Sequence, residues 1–391
     1  MKIKLCVLFG GRSVEHEVSI ITALQAINNI DKNKYDIVPV YIAKDGSWYT
    51  GNMLLDMNIY KDMDLLKRYA KEVVLYKRGE EFVLQNKKGL FKNIVTAIDL
   101  VFPIMHGTNG EDGSLQGYLE TVGVPYCESN VYACALGQDK ILQKQVLTAS
   151  NVNVVKYRWF FDKEYLNDPD KIIKNIERLE YPLIVKPATL GSSVGINIAH
   201  NELELREFIT DAIEYDNKIL VEEVVNNLKE VNISVLGNSE NQELSVIEEV
   251  GSRNELLTYE DKYIGGGKSP SKGMVNAKRK IPADLNEKLE NSVREQALKA
   301  FRALNMSGVV RIDFLINSET EEVYVNEVNT IPGSLSFYLW DKTNKKYPEL
   351  LDDIINLGIV NYKNKSRKTT TFSTNILEGF NGVKGMKGLK K

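Results

Sequence analysis

The sequence has little of what marks a disulfide-stabilised, histidine-dependent or membrane-spanning protein. Its 391 residues include three cysteines, too few for a disulfide framework, and three scattered histidines (His16, His106 and His200), which support neither a histidine metal site nor a catalytic triad. No run approaches the roughly 18 apolar residues that a membrane span needs. The short N-terminal apolar run ends in glycines, which favours a first strand over a signal peptide. These absences predict a protein of the reducing cytoplasm.

The chain also has little net charge, except at the C-terminus, where basic residues predominate. The formal net charge of −3 gives no reason to expect a nucleic acid or a membrane surface as a partner. Residues 363–391 carry eight Lys or Arg against the single acid Glu378, together with glycine, asparagine and few large apolar residues. This composition predicts a disordered, solvated tail rather than a nucleic-acid or membrane arm.

Hydrophobic patterning divides the rest of the chain into α/β and α+β units. Residues 4–9 form a predicted strand that ends at two glycines, and residues 14–30 carry apolar residues at helical spacing. Further strand signals, beginning at 36–42, indicate an α/β unit with a largely parallel sheet. We predict an N-terminal α/β domain, a central unit and a strand-rich C-terminal unit, over residues 1–123, 124–215 and 216–362.

Two strands within residues 308–329, joined by a polar turn, are predicted to pair antiparallel. Side chains alternate faces along a strand, so Arg311 shares a face with Asp313, as Glu327 does with Asn329. A register with Asp313 opposite Glu327 would gather all four on one face. Two carboxylates and an amide oxygen suit Mg²⁺ rather than zinc. The alternative is an exposed sheet face with salt bridges.

Glycine-rich loops follow two other predicted segments. Lys186 and the glycines of residues 191–195 suit a phosphate, because successive backbone amides and an ammonium offset its charge; a plain hairpin loop is the alternative. Residues 265–269 end like a P-loop, but Lys262 stands where the leading glycine is required. The polar run 259–273 is therefore predicted to be a mobile loop, either an active-site lid or a surface excursion.

The N-terminal unit contains two further candidate ligand loops. Glu15 stands near the start of a helix, where a carboxylate would either bind the ammonium of an amino-acid substrate or simply favour the helix macrodipole. The segment 106–117 follows a predicted strand and is dense in glycine, as a ligand loop would be. We interpret His106 within it as structural.

Five segments, in this order and at these distances, give the chain a specific resemblance. They are GGRSVEHEVS, HGTNGEDGSLQG, KPATLGSSVG, GVVRIDF and NEVNTIPG. Together they resemble the D-alanine–D-alanine ligases of the ATP-grasp superfamily over residues 3–340. The resemblance implies a three-domain ATP-grasp fold, ATP as co-substrate, Mg²⁺ (or Mn²⁺) as cofactor, D-alanine as substrate and a homodimer. It also implies a cytoplasmic enzyme that supplies peptidoglycan precursors.

The same resemblance implies roles for individual residues. Those similar to the family's substrate-binding and transition-state groups are Glu15, Ser192, Tyr263, Arg311 and Gly333. Those similar to its ATP-binding groups are Lys140, Lys186, Ser193, Glu222, Glu223, Val225, Glu230 and Lys262. Those similar to its metal ligands are Asp313, Glu327 and Asn329. These assignments imply that one amino acid is activated as an acyl phosphate and attacked by a second.

The chain departs from the family's pattern after Gly333. There the family usually has a small, hydroxyl-bearing stretch that receives the second substrate's carboxylate. The residues here are Ser334, Tyr338 and Leu339, with Tyr338 at the position of the family's serine. D-alanine is the expected acceptor, D-serine or another D-amino acid stays open, and Tyr263 argues against D-lactate. A nucleotide sensor without ligase activity is the alternative of another class, which the retained transition-state residues disfavour.

Overall fold

Three β-sheets with helices packed against them organise the part of the chain that the structure describes. In this computed structural model the described residues are 2–88, 93–191, 195–251, 279–372 and 374. The sheets follow one another along the sequence, and each contributes residues to a common pocket.

The N-terminal sheet has a parallel half and an antiparallel extension. Its strands are β1 (Ile3–Gly10), β2 (Tyr35–Ile42), β3 (Trp48–Thr50), β4 (Lys71–Arg78), β5 (Glu81–Asn86), β6 (Ile94–Ile98) and β7 (Leu100–Ile104). Their order is β6-β5-β4-β3-β2-β1-β7, and only β2, β1 and β7 run parallel. The predicted largely parallel sheet is therefore correct for this half alone.

Burial explains the apolar run of β1. Leu5 to Phe9 are fully buried, because a parallel strand in the middle of a sheet is covered on both faces. Ala23 and Ile27 of the first helix pack against one of these faces. The helices of this domain are α1 (His16–Asn29), α2 (Met63–Tyr69) and α3 (Ser114–Val122).

The central part of the chain forms a smaller antiparallel sheet. It begins with two helices joined at Asp139, α4 (Val131–Gln138) and α5 (Lys140–Ala149). The strands are β8 (Tyr157–Phe161), β9 (Leu183–Pro187), β10 (Asn197–Ala199) and β11 (Lys218–Glu223), in the order β10-β9-β11-β8. The helices that accompany them are α6 (Asp162–Asn167), α7 (Pro169–Ile176) and α8 (Glu202–Ile213).

The C-terminal sheet is antiparallel throughout, in the order β13-β12-β14-β15. Its strands are β12 (Leu228–Gly237), β13 (Gln242–Val250), β14 (Gly308–Asn317) and β15 (Val323–Asn329). The helices that follow β13 are α9 (Glu287–Ala303), α10 (Phe337–Trp340) and α11 (Tyr347–Ser366). Val293 and Phe301 of α9 bury one face of the sheet against Ile312 and Phe314, which leaves the opposite face for polar residues.

Two predicted boundaries were placed too early. β11 pairs with β8 and β9, so a boundary at residue 215 cuts the central sheet. The final helix continues to Ser366, so the tail predicted from residue 363 starts inside it. Among the described helices, none combines the length and the apolar character that crossing a membrane requires.

Some helices pack into the core of a unit other than the one in which their sequence lies. Ala133 of α4 and Leu147 of α5 pack into the core beneath the C-terminal sheet. Leu350 and Ile354 of α11 pack into the core of the N-terminal sheet. The units predicted as consecutive segments therefore share helices.

Candidate active site

The β14–β15 hairpin has the register that brings the predicted metal residues together. Asp313 lies opposite Glu327, and Arg311 lies opposite Asn329. The predicted metal site required this register, because only then do all four side chains lie on one face of the sheet. The polar row continues across all four strands of the sheet and consists of Glu248, Asn232, Asp313 and Glu327.

A β-bulge in the hairpin separates core residues from site residues. The pairing shifts between Asp313 and Phe314, so that Phe314 lies opposite Val325 while Asp313 lies opposite Glu327. Val325 and Val328, although three residues apart, are both buried in the core. Strict alternation would have put Val325 on the face of Glu327; the extra residue of the bulge reverses the faces.

Asp313 has two hydrogen-bonding neighbours. Arg311 donates Nε to Asp313 Oδ1 at 2.6 Å and Nη2 to Oδ2 at 2.8 Å, a two-pronged geometry that orients both groups. Asn329 donates Nδ2 to Asp313 Oδ2 at 3.1 Å. The salt-bridged face that the sequence left as an alternative is thus formed by the same residues as the predicted metal site.

These residues still fit a hard divalent cation. A carboxylate has about four lone-pair positions, so Asp313 retains acceptor capacity beside Arg311, and Glu327 stands directly across from it. Among the described residues, no group of three or more His, Cys, Asp or Glu side chains gathers for a metal. The predicted set has two carboxylates and the amide of Asn329. Mg²⁺ commonly takes one or two carboxylates and completes its shell with substrate phosphates.

The carboxylate of Glu15 lies where glycine-rich segments meet. Glu15 occupies the N-cap position of α1 but forms no capping hydrogen bond with that fully described helix. A Cβ added at Gly107 would lie 2.7 Å from Glu15 Oε2, and one added at Gly191 would lie 3.2 Å from it. The side chain therefore points between the loops. From the N-cap position it can also favour the helix macrodipole, so its role in ligand binding stays a prediction.

Three lysines surround Glu222 beside the central sheet. Glu222 pairs with Lys144 Nζ at 2.5 Å and also with Lys186, and all three side chains are at most 7% exposed. Lys140 lies next to them and donates Nζ to the carbonyl oxygen of Leu190 at 2.7 Å. Burial alone would raise the pKa of Glu222, but Lys144 and Lys186 lower it to about 2. The cluster has more positive than negative groups, as a phosphate site requires.

One pocket joins these groups. Its walls include Glu15, Glu111, Lys140, Gly191, Glu327 and Asn329. Lys140 is within electrostatic range of Glu327, Lys186 and Glu222, so it lies between the lysine cluster and the polar row. Side chains from opposite ends of the chain therefore face a common cavity.

Buried hydrogen bonds fasten the loop after β15 to the N-terminal domain. The His106 ring contacts the Ile331 carbonyl oxygen through Nδ1 at 2.8 Å and Thr22 Oγ1 through Nε2 at 2.9 Å. Thr22 Oγ1 also accepts the backbone N–H of Ser334 at 3.2 Å, and Glu111 accepts the backbone N–H of Ile331 at 2.9 Å. His106 is thus structural, as predicted.

Three consecutive residues of this loop have a left-handed backbone. Ser334, Leu335 and Ser336 have φ values of 51°, 50° and 51°, which costs about 1–3 kcal/mol per non-glycine residue. Ser334 Oγ donates to Gln25 Oε1 at 2.8 Å, and Leu335 is fully buried. These contacts hold the strained turn directly after Gly333, the predicted oxyanion donor.

The predicted second-substrate residues point in different directions. Ser334 faces α1, as described, and Leu339 is fully buried. Tyr338 donates its hydroxyl to Glu248 Oε2 at 3.2 Å, which brings it to the end of the polar row. Arg279 lies over the Tyr338 ring, with Cζ 5.4 Å from the ring centre. A pocket formed by all three predicted residues stays a prediction.

The other predicted nucleotide residues lie where the chain passes from the central to the C-terminal sheet. Glu223 ends β11 and pairs with Lys156 at 3.5 Å, Val225 is mostly buried, and Glu230 is exposed on β12. Four predicted residues lie outside the described ranges: Ser192, Ser193, Lys262 and Tyr263. The roles assigned to these residues stay predictions.

Residues at or beside the site that were not predicted include Lys144, Glu111, Glu248 and Arg279. Lys144 follows Lys140 by four residues on α5, so two lysines on one helix face were an available signal. Glu111 lies in the glycine-dense loop, and burial raises its pKa to about 8, with Glu15 adding to the effect. Glu248 and Arg279 meet through long-range pairing, for which the sequence carries no local signal.

Comparison with known proteins agrees with this geometry. The family model described as D-ala D-ala ligase N-terminus matches residues 4–129, and the D-ala D-ala ligase C-terminus model matches residues 146–356. The chain is 40% identical over 376 residues to the D-alanine–D-alanine ligase of Thermosipho melanesiensis, covering 95% of this chain and 97% of that protein.

Solved structures show the same similarity. The D-alanine–D-alanine ligase of Coxiella burnetii has a TM-score of 0.78 and 28% identity, covering 94% of this chain and 96% of that chain. VanG, a D-Ala:D-Ser ligase of Enterococcus faecalis, has a TM-score of 0.77 and 31% identity, covering 92% and 100%. The three sheets and their shared pocket thus have the ATP-grasp fold. Within that class, the chain belongs to the D-alanine–D-alanine ligase family.

Proposed function

We propose that this chain joins two D-alanine molecules into D-alanyl-D-alanine in an ATP-dependent reaction. The observation that carries the proposal is the shared pocket of Glu15, Lys140, Glu327 and Asn329. It combines an acid for an ammonium group, a cation for phosphates and a pair of metal ligands. Membership of the ligase family supports the same reaction.

The first step activates the donor D-alanine. Its ammonium binds Glu15, and its carboxylate oxygen attacks the γ-phosphorus of ATP. A carbon–oxygen–phosphorus link forms, the bond to the β-phosphate oxygen breaks, and ADP leaves. Lys140 and Lys186 offset the charge of the phosphates during this transfer. Mg²⁺ (or Mn²⁺), held by the predicted ligands Asp313, Glu327 and Asn329, supplies further positive charge when bound.

The second step forms the peptide bond. The acceptor's unprotonated amine attacks the acyl carbon and a tetrahedral oxyanion develops. The bond from the acyl carbon to the phosphate oxygen then breaks, the amide forms, and the proton that the nitrogen loses leaves with the phosphate. We assign the oxyanion to Arg311, which has N–H groups beyond the two given to Asp313, and to the backbone N–H of Gly333. Water would hydrolyse the acyl phosphate, so the pocket must exclude it.

D-alanine is the proposed acceptor because relatives that are 38% to 40% identical to this chain over nearly its whole length are D-alanine–D-alanine ligases. The similarity to VanG makes D-serine the natural comparison. We further propose that the enzyme is a cytoplasmic homodimer whose product enters peptidoglycan precursors.

The test measures ADP and phosphate formed from ATP and Mg²⁺, first without an amino acid, then with D-alanine, and then with D-alanine plus D-serine or D-lactate. We expect turnover that depends on D-alanine and D-alanyl-D-alanine as the main product, identified by mass spectrometry. ATP binding without D-alanine-dependent turnover would instead identify a nucleotide sensor. A mixed D-alanyl-D-serine product would reassign the acceptor.

A further inference from the structure

The carboxylate of the acceptor needs a cation that the assignments so far do not supply. A carboxylate taken out of water requires charge-assisted hydrogen bonds. Arg311 already gives two donors to Asp313 and is assigned to the oxyanion. Tyr338, at the family's serine position, donates its hydroxyl to Glu248. Among the described residues assigned so far, none supplies a cationic group to the acceptor end of the site.

A second guanidinium stands beside Tyr338. Arg279 stacks on the Tyr338 ring at 5.4 Å from its centre, and its Nε lies 3.4 Å from Glu248 Oε1. The Arg279 side chain is nevertheless 33% exposed, whereas that of Glu248 is 2% exposed. Because Nε is the nitrogen that approaches Glu248, we assign the two terminal nitrogens to the ligand; a guanidinium has five donors in a planar fork.

Glu248 fixes this arrangement relative to the rest of the site. Besides Tyr338, it accepts Asn232 Nδ2 at 2.9 Å, and Asn232 lies opposite Asp313. Glu248 is thus two strands from Asp313, roughly 10 Å across the sheet. Arg311 and Asp313 are also within electrostatic range of the Tyr338 phenol. The Arg279 guanidinium therefore stands at the Glu248 end of the polar row and stacks on a tyrosine that lies near Arg311, the residue assigned to the oxyanion.

We propose that Arg279 binds the carboxylate of the acceptor amino acid, and that Tyr338 and Glu248 position its guanidinium. The inference rests on the proposed ligase function and deepens it. Arg279 takes over the task of the family's serine, while the larger tyrosine ring supports it by stacking. Tyr338 and Glu248 act through Arg279 and are positioning residues.

The experiment separates the two halves of the reaction. Hydroxylamine has no carboxylate, and it traps the donor acyl phosphate as D-alanine hydroxamate, so this product requires ATP and the donor site only. Peptide formation at varied D-alanine gives the KM of the acceptor. For Arg279→Gln we expect an increase of about tenfold or more in the acceptor KM, with hydroxamate formation within about twofold of wild type.

Matched variants make the interpretation specific. Lys280→Gln removes an adjacent cation that pairs with the exposed Asp284 and should leave both products unchanged. Tyr338→Phe keeps the stacking ring and should raise the acceptor KM less than Tyr338→Leu, which removes it. Arg279→Lys keeps the charge but loses the planar fork, so its acceptor KM should lie between those of wild type and Arg279→Gln.

The outcomes are distinct. An unchanged acceptor KM in Arg279→Gln, or equal losses of peptide and hydroxamate, would overturn the assignment of Arg279. Wild-type protein that forms neither product with D-alanine would overturn the proposed function itself.

Discussion

Glu327 stands directly opposite Asp313, and both belong to the pocket side of the C-terminal sheet. Glu327→Gln removes one negative charge with almost no change in shape. We expect turnover to fall by at least about 100-fold, because the cation loses an ionised ligand, while the free energy of unfolding changes by less than ~1 kcal/mol. Steady-state ADP release at saturating Mg²⁺ and urea unfolding measure the two quantities.

The control for this variant lies in the turn of the same hairpin. Glu319→Gln alters an exposed acid that contacts Asn227 and should leave turnover at the wild-type level. Full activity in Glu327→Gln would contradict the metal assignment.

Glu222 gives the protein a pH dependence of known sign. Its pKa falls from 4.5 to about 2 on folding, because Lys144 and Lys186 outweigh the effect of burial. A folded-state pKa below the unfolded one stabilises the fold above pH ~4.5, and this contribution is lost as the pH falls towards ~2. Glu222→Gln should cost about 3 kcal/mol at pH 7, since it leaves buried ammonium groups without a counter-charge.

Urea unfolding of both proteins at pH 7, 5, 4 and 3 checks this expectation. The difference between wild type and Glu222→Gln should shrink as the pH falls. Glu223→Gln, whose partner Lys156 is 72% exposed, should cost less than ~1 kcal/mol at pH 7. A constant difference over the whole range would show that Glu222 does not titrate in that window.

The start of strand β14 requires glycine. Gly308 has φ of +79°, and an added Cβ would lie 1.9 Å from Glu128 Oε2, the oxygen that accepts the N–H of Val309. Gly308→Ala should therefore cost ~3 kcal/mol or more, combining left-handed strain with overpacking. Gly79→Ala is the matched control: φ is +59° and no described atom lies within 4 Å, so only strain of about 1–2 kcal/mol applies. Equal losses by thermal unfolding would contradict the steric argument.

The same strands show what a sequence can predict about an element. Alternation placed Arg311 with Asp313 and Glu327 with Asn329, and the burial of Val310, Ile312 and Phe314 selects the observed register. Alternation could not reveal the bulge, since Val325 and Val328 occupy one face only after an extra residue is inserted. Local periodicity therefore predicted which side chains share a face of the sheet. The position of the bulge depends on packing between the strands, which periodicity does not show.

The arrangement of the three units could not be predicted fully from the sequence, because it depends on packing between residues that are far apart in the chain. Composition distinguishes linkers from strands. It does not reveal that α4 and α5 pack against the C-terminal sheet, or that α11 packs against the N-terminal sheet. Arg279 was missed for the same reason, because its partner Glu248 lies far away in sequence. Lys144 was missed although its spacing from Lys140 on one helix was a local signal. The motif loops were predicted because each is contiguous.

Two deletions at the C-terminus test which part of the chain the folded enzyme needs. Every described site residue precedes Trp340, and α11 ends at Ser366. Deleting residues 367–391 should keep kcat/KM within about twofold of wild type, because this deletion leaves α11 and every described site residue intact. Deleting from residue 350 instead removes fully buried core residues of α11, including Leu350 and Ile354, and should prevent folding. A large loss of activity from the shorter deletion would assign the tail a structural role.

Thr22 Oγ1 meets both the His106 ring and the backbone N–H of Ser334. One oxygen atom on α1 thus links the His106 loop of the N-terminal domain to the strained turn that begins at Ser334. Under the proposed assignments these two segments border the donor and the acceptor, so a substitution at Thr22 should disturb both binding positions at once.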